Sequence, residues 1–297
     1  MNFPKLLASG LLLTCLPAGV SYAGMTSGED VAAALNSRYE KVVTDCDGDP
    51  ASYCSGVVIR TNETNGKYPT WTPYLPYLKE DVNDKSLQFS YLRKDMGLHN
   101  YTIWDFNKTG YGILLKSGGA DSFKSRCIYP VNATSAQRKT YGCGAFKATN
   151  KLHDEDEDNS TCESKGVLTS DDWISEYAAG GIGDFCSFSS HKAKYFNASV
   201  ETSIKIFKKY KNVDVNNEMI VNTAPPFWDV NDPSKDHIQA LWYNPEAGEV
   251  GLTGAQKEQQ MYYDISGKWI PIISIKRIND NAVFSYSEDA QKVKPAS

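Results

Sequence analysis

The chain lacks Cys-x-x-Cys and Cys-x-x-His spacings, so the common structural zinc arrangements are a poor reading. It lacks Gly-x-Ser-x-Gly, which argues against a serine hydrolase built on a nucleophile elbow. His99, His153, His191 and His237 are its four histidines, and none has a recognisable hydrolase setting. The cluster Gly180-Gly181-Ile182-Gly183 does not join a strand to a helix in the dinucleotide-binding pattern. An excess of positive charge is missing as well. With 31 Lys and Arg against 36 Asp and Glu, the formal charge is −5, a poor field for nucleic acid. Beyond the N-terminal segment, no stretch is apolar enough to cross a membrane.

What is present begins with an export signal. Lys5 supplies a positive start, Leu6 to Val20 is largely apolar, and Ser21-Tyr22-Ala23 is a small-x-small cleavage site. Gly10, Pro17 and Gly19 break the apolar run, which is too short for a comfortable membrane anchor. Thr14 before Cys15 makes a poor lipoprotein site. The expectation is a signal peptide over 1–23 and a secreted or periplasmic chain over 24–297, without a membrane anchor.

Removing Cys15 leaves Cys46, Cys54, Cys127, Cys143, Cys162 and Cys186. An even number in an exported chain implies a disulfide framework. Six cysteines allow fifteen pairings. Nearest-neighbour pairing, which closes three local loops, is the working expectation. No metal site is expected.

The patterning predicts an α+β protein. Ser27 and Asp30 form a capping-box signature, and Val31, Leu35, Tyr39 and Val42 follow at helical spacing, which predicts a helix over 28–44. Strands are predicted over 54–60, 88–95, 110–116 and 126–131. Thr61 to Asp84, with Trp71, is long for a plain connector and reads as cover for a site. The run Asp154 to Asp158 reads as a hydrated loop near 150–163 that separates two halves of one domain. Ser170 is expected to cap a short helix through Trp173 and Tyr177, and a second helix carries Phe196, Val200, Ile204 and Phe207. A short buried strand over 215–221 follows. Then come a rigid turn at Ala224 to Trp228, a strand over 238–243, a helix from Thr253, and a closing strand over 269–278. The tail from Asp289 is expected to fray.

Two residues stand out by position. Glu218 falls where a turn becomes a strand, so its side chain can enter a cleft or simply meet solvent. Arg60 ends the first strong strand, where a guanidinium can bind phosphate or carboxylate, or pair with a surface acid.

Three blocks resemble the halovibrin family of secreted bacterial proteins: Cys54-Ser-Gly-Val-Val-Ile-Arg60, Phe89-Ser-Tyr-Leu-Arg-Lys-Asp95 and Asn217-Glu218-Met219-Ile220. The Cys127 to Gly142-Cys143-Gly144 spacing, the Cys186-Ser187-Phe188 block and Ile270-Pro271-Ile272-Ile273 fit too. That family is described as NAD-consuming, by ADP-ribosyl transfer or NAD hydrolysis. The resemblance implies an ADP-ribosyltransferase-like mixed, mostly antiparallel β core with flanking helices, stapled by disulfides. It implies NAD as substrate, no required cofactor and a possible host protein acceptor. The wider superfamily carries an arginine ending a strand, an aromatic-x-Ser-x-Ser strand start, and Glu-x-Glu before an aliphatic strand. Arg60 matches the first and Glu218 the last, with Asn216 in place of the first glutamate. Phe185-x-Ser187-x-Ser189 matches the serine motif, and Ser90 behind Phe89 is its rival.

On that resemblance Glu218 stabilises an oxocarbenium-like state, Arg60 holds the pyrophosphate, and Ser187 or Ser90 orients the glutamate. Tyr91 or Phe188 would stack on nicotinamide. The asparagine at 216 puts arginine modification in doubt and leaves hydrolysis open. The alternative is a non-enzymatic host-binding module, using the aromatic segments Trp71 to Tyr77 and Pro225 to Trp228.

Overall fold

The computed structural model describes residues 27–61, 86–97, 110–117, 123–132, 143, 145–146, 161–177, 185–209, 216–222 and 235–294. The segment read as a signal peptide, the residues read as a loop over 62–84, the acidic run, the Gly180–Gly183 cluster and the residues read as a turn over 224–228 lie outside them.

Thirteen strands and four α-helices occur among these residues. The strands are β1 (Asp45–Cys46), β2 (Asp49–Pro50), β3 (Val57–Thr61), β4 (Ser86–Leu92), β5 (Tyr111–Leu115), β6 (Ser125–Tyr129), β7 (Ala145–Phe146), β8 (Phe185–Cys186), β9 (Phe188–Ser189), β10 (Glu218–Asn222), β11 (Ile238–Tyr243), β12 (Ile272–Ile278) and β13 (Asn281–Tyr286). The helices are α1 (Gly28–Glu40), α2 (Ser170–Tyr177), α3 (Ala193–Lys209) and α4 (Glu249–Ser266).

Nine strands form one sheet in the order β13-β12-β11-β5-β3-β4-β10-β6-β9. Every neighbouring pair in it is antiparallel except β11 with β12. Those two run parallel because α4 lies between them in the chain, and a parallel pair needs such a crossover. The α+β expectation with a mostly antiparallel sheet holds.

The sheet interior follows from composition. Val57, Val58 and Ile59 on β3, Ile113, Leu114 and Leu115 on β5, and Met219, Ile220 and Val221 on β10 are all buried. Unbroken apolar runs of this kind suit strands covered on both faces. The Tyr91 ring meets the Phe196 ring of α3 edge-on, with centroids 5.1 Å apart. Phe284 of β13 meets Tyr39 of α1 in the same way at 5.9 Å. Alternation along the strands puts α3 and α1 on opposite faces.

All six described cysteines are paired, Cys46–Cys54, Cys127–Cys143 and Cys162–Cys186, as the nearest-neighbour expectation had it. No helix among the described residues is long and apolar enough to cross a membrane.

Several boundaries differ from expectation. α1 stops at Glu40, where Lys41 turns extended, so Val42 leaves the helix and stands exposed. α2 is capped from Thr169, not Ser170. The Thr169 hydroxyl accepts from Asp172 N (3.1 Å), and the Asp172 carboxylate accepts from Thr169 N (2.9 Å), a reciprocal box. α4 begins at Glu249, four residues before Thr253. The sheet ends on β13, a strand the sequence reading left unassigned between the closing strand over 269–278 and the tail from Asp289. The tail is anchored through Gln291, which accepts from Ile272 N (2.8 Å) and donates to Ile272 O (2.9 Å).

Candidate functional site

β3, β4 and β10 are consecutive in the sheet, so Arg60, Ser90 and Glu218 stand on three neighbouring strands. Met219 opposes Phe89, and one step along that register Glu218 opposes Ser90. Ile59 opposes Ser90 on the other side of β4, and Tyr129 opposes Glu218 across β6. These residues make one row, Ile59–Ser90–Glu218–Tyr129, with side chains on one face. Directly opposed residues have Cβ atoms about 4.5–5.5 Å apart. Ser90 is therefore the immediate cross-strand neighbour of Glu218, although 128 residues separate them in sequence.

Ser187 falls on the same row at greater distance. β6 pairs with β9 through Ile128 opposite Phe188, and one more step places Ser187 opposite Tyr129. Tyr129 therefore stands between Ser187 and Glu218. α3, which intervenes between them in the chain, packs on the other face of the sheet.

Arg60 is not on this row. It shares the next row with Ile113, and across β4 with Phe89, so alternation turns it to the opposite face. Its Nη1 donates to Gln88 O at 2.7 Å. Tyr91 belongs to the opposite face as well. Its ring is fully buried, its hydroxyl bonds Ser55, and its edge meets Phe196, so no ring face is open for nicotinamide. Burial pushes the Tyr91 phenol above its ordinary pKa. Phe188, the other stacking candidate, is fully buried too.

Glu218 was expected at a cleft rim or in solvent, and its burial takes it out of open solvent. It is 2% exposed, at the first position of an interior strand. Below it on the same face lie Tyr129, Ile220 and Cys127, a small apolar cluster closed by Cys143. The disulfide Cys127–Cys143 thus ties a second segment to this face.

The join between β4 and β10 is made by residues the motif reading passed over. Asn217 is fully buried and stands opposite Tyr91 in the continued register. There its side-chain amide takes the ladder bonds: Tyr91 N donates to its Oδ1 (2.7 Å), and its Nδ2 donates to Tyr91 O (2.8 Å). Its own carbonyl accepts from the Ser90 hydroxyl (3.1 Å). Asn216 Nδ2 donates to the same Ser90 hydroxyl at 3.2 Å. The Asn-Asn dipeptide was legible as a turn signal, but its reach to β4 was not.

A cleft of about 620 Å³ lies elsewhere, between the α1–β1 connection, the end of β4 and α3. Three of its charged groups are already paired. Arg93 donates to both Asp95 oxygens (2.7 and 2.9 Å), and Glu201 pairs with Lys205 (2.9 Å). None of Arg60, Ser90, Tyr91, Ser187 or Glu218 lines it. Among the described residues, no group of three or more His, Cys, Asp or Glu could hold a metal ion.

No protein-family model matches the chain, and no curated protein sequence matches it.

Proposed function

We propose that this is an exported enzyme that cleaves NAD at the nicotinamide–ribose bond. The observation that carries the reading is the placement of Ser90 directly opposite Glu218 on adjacent interior strands. Breaking that bond develops positive charge on the ribose, and a fixed carboxylate lowers the cost of that charge. Glu218 is the carboxylate, Ser90 stands beside it, and Ser187 lies farther along the same row beyond Tyr129. The three disulfides fit a chain that matures in an oxidising compartment. The halovibrin-like blocks supply the substrate class. Asn216 bonds Ser90 and brings no carboxylate for an acceptor, which favours water over a protein side chain. Hydrolysis is therefore the preferred outcome, with transfer to a host protein as the second. Tyr91 has no substrate role in this scheme.

A second reading is favoured by one specific observation. Alternation sets Arg60 and Glu218 on opposite faces, which suits a host-binding module that turns over no substrate. One experiment separates the two. The oxidised mature chain is incubated with NAD and nicotinamide release is followed, beside Glu218→Gln. The enzyme reading expects release that falls by roughly a hundredfold or more in the variant. No release, with or without candidate acceptor proteins, would overturn it. Release that survives the substitution would place the chemistry on another carboxylate.

A further inference from the structure

We propose that Asn217 is a positioning residue for Glu218, acting through a side-chain clamp on β4. The inference rests on the NAD-cleaving reading for its kinetic consequence, and on geometry alone for the clamp itself. In a regular antiparallel pair, every second pair of opposed residues exchanges main-chain N–H and C=O, and Tyr91 turns its own toward β10. At Tyr91 the partner is the Asn217 amide side chain, through bonds of 2.7 and 2.8 Å. The main chain of Asn217 therefore stands off from β4 by the length of its own side chain. The widening falls one residue before Glu218 and beside Ser90. The Asn217 carbonyl then takes the Ser90 hydroxyl at 3.1 Å, which fixes the serine as well. One residue thus sets the gap between two strands and the orientation of the serine beside the carboxylate.

Asparagine suits this task because its amide carries one acceptor and two donors in a plane, matching a peptide group. Aspartate keeps the acceptor for Tyr91 N and turns a second oxygen toward Tyr91 O. That would force the strand end to move. A merely stabilising asparagine would behave differently, and the molecule contains the control. Asn36 of α1 clamps Phe284 of β13 in the same two-bond manner, accepting from its N (3.0 Å) and donating to its O (2.7 Å). β13 is six strands away from β10 across the sheet, so this copy stands far from Glu218.

The test compares Asn217→Ser and Asn36→Ser with the native oxidised chain, with Asn217→Leu as a second variant should the first not fold. None of these adds a charge beside Glu218. Two quantities are read: the carboxyl ¹³C chemical shift of Glu218 at one fixed pH, its signal identified by its loss in Glu218→Gln, and nicotinamide release per folded molecule. Asn217→Ser should move that signal and lower kcat by roughly tenfold to a hundredfold. KM should hold within about twofold, because the loss falls on the transition state. Asn36→Ser should leave both unchanged while lowering the unfolding midpoint. An unmoved Glu218 signal in both Asn217 variants would overturn the proposal, and so would equal effects from the two clamps. Should the native chain release no nicotinamide, the NAD reading falls and the Glu218 signal alone decides the clamp.

Discussion

Glu258 carries a carboxyl group into the face of α4 that packs on the sheet. It is 3% exposed, and its Oε2 has no hydrogen-bond partner among the described residues. Burial pushes its pKa well above the ordinary carboxyl value, so the folded chain holds it protonated where the unfolded chain would ionise it. Nearby Tyr111 is pushed up to about 12, first by burial and then by the Glu258 charge. The folded state binds more protons than the unfolded one from the ordinary carboxyl value of 4.5 upward. Its stabilising term is present below that value and is lost as pH rises through the folded pKa. Glu258→Gln removes the ionisation. Urea midpoints measured across pH should show the variant gaining on the native chain as pH rises, by on the order of 1 kcal/mol or more at mildly alkaline pH. Parallel curves would show that Glu258 ionises in the fold without cost. Residue type alone gave no hint of this group, because Glu258 sits in a polar stretch, Gln256 to Gln260, and burial there is set by the register of α4 on the sheet. Glu218 was legible as a candidate for the opposite reason: one acid heading an apolar run draws notice.

At the scale of elements, strands with β-branched runs were easy to read and their joins were not. β3, β5, β6, β10 and β11 fall within a few residues of the predicted spans. β13 was missed, although Asn279 and Asp280 carried a signal: both adopt positive φ (49° and 63°), as a two-residue hairpin requires. The tail was misread because its anchor is long-range. Gln291 Oε1 accepts from Gln259 Nε2 (2.9 Å), and Gln259 Oε1 accepts from Lys292 N and Val293 N. No local pattern announces such a pairing. Gly112 marks a tight join between strands. A Cβ there would meet Arg60 O at 1.9 Å and Trp242 Nε1 at 2.9 Å, and the Trp242 indole already donates to that Arg60 carbonyl at 3.0 Å. Neither neighbour can yield without breaking this bond, and both belong to central strands. Gly112→Ala should therefore destabilise by about 1–3 kcal/mol or more, read as a lower urea midpoint. It should also shift the backbone of Arg60. An unchanged midpoint would mean that β5 slides relative to β3 at little cost.

For the whole molecule, the disulfides and the sheet order determine what holds the chain together. The sheet joins strands far apart in sequence, β3 with β5 and β4 with β10, and such contacts form only after long loops close. That order could not be read from the sequence, because periodicity identifies strands and not their neighbours. The cysteine pairing could be guessed, since each bond links cysteines adjacent in the chain, 8, 16 and 24 residues apart. These separations rank the bonds. Closing the corresponding loops in the unfolded chain is worth about 2.5, 3.1 and 3.4 kcal/mol in the chain-entropy account. Replacing each pair by alanines should lower the unfolding midpoint least for Cys46–Cys54 and most for Cys162–Cys186. Packing adds a second term that follows burial. Cys162 and Cys186 are both fully buried, while Cys46 and Cys54 are half-buried, so packing reinforces the entropic order. Cys127–Cys143 is the bond to watch for activity. Cys127 lies beneath Glu218 on the same face, so its loss should depress nicotinamide release beyond what its stability cost explains. Release per folded molecule in the three double-alanine variants measures this. An equal fall in all three would show that Cys127–Cys143 acts on the site only by holding the fold.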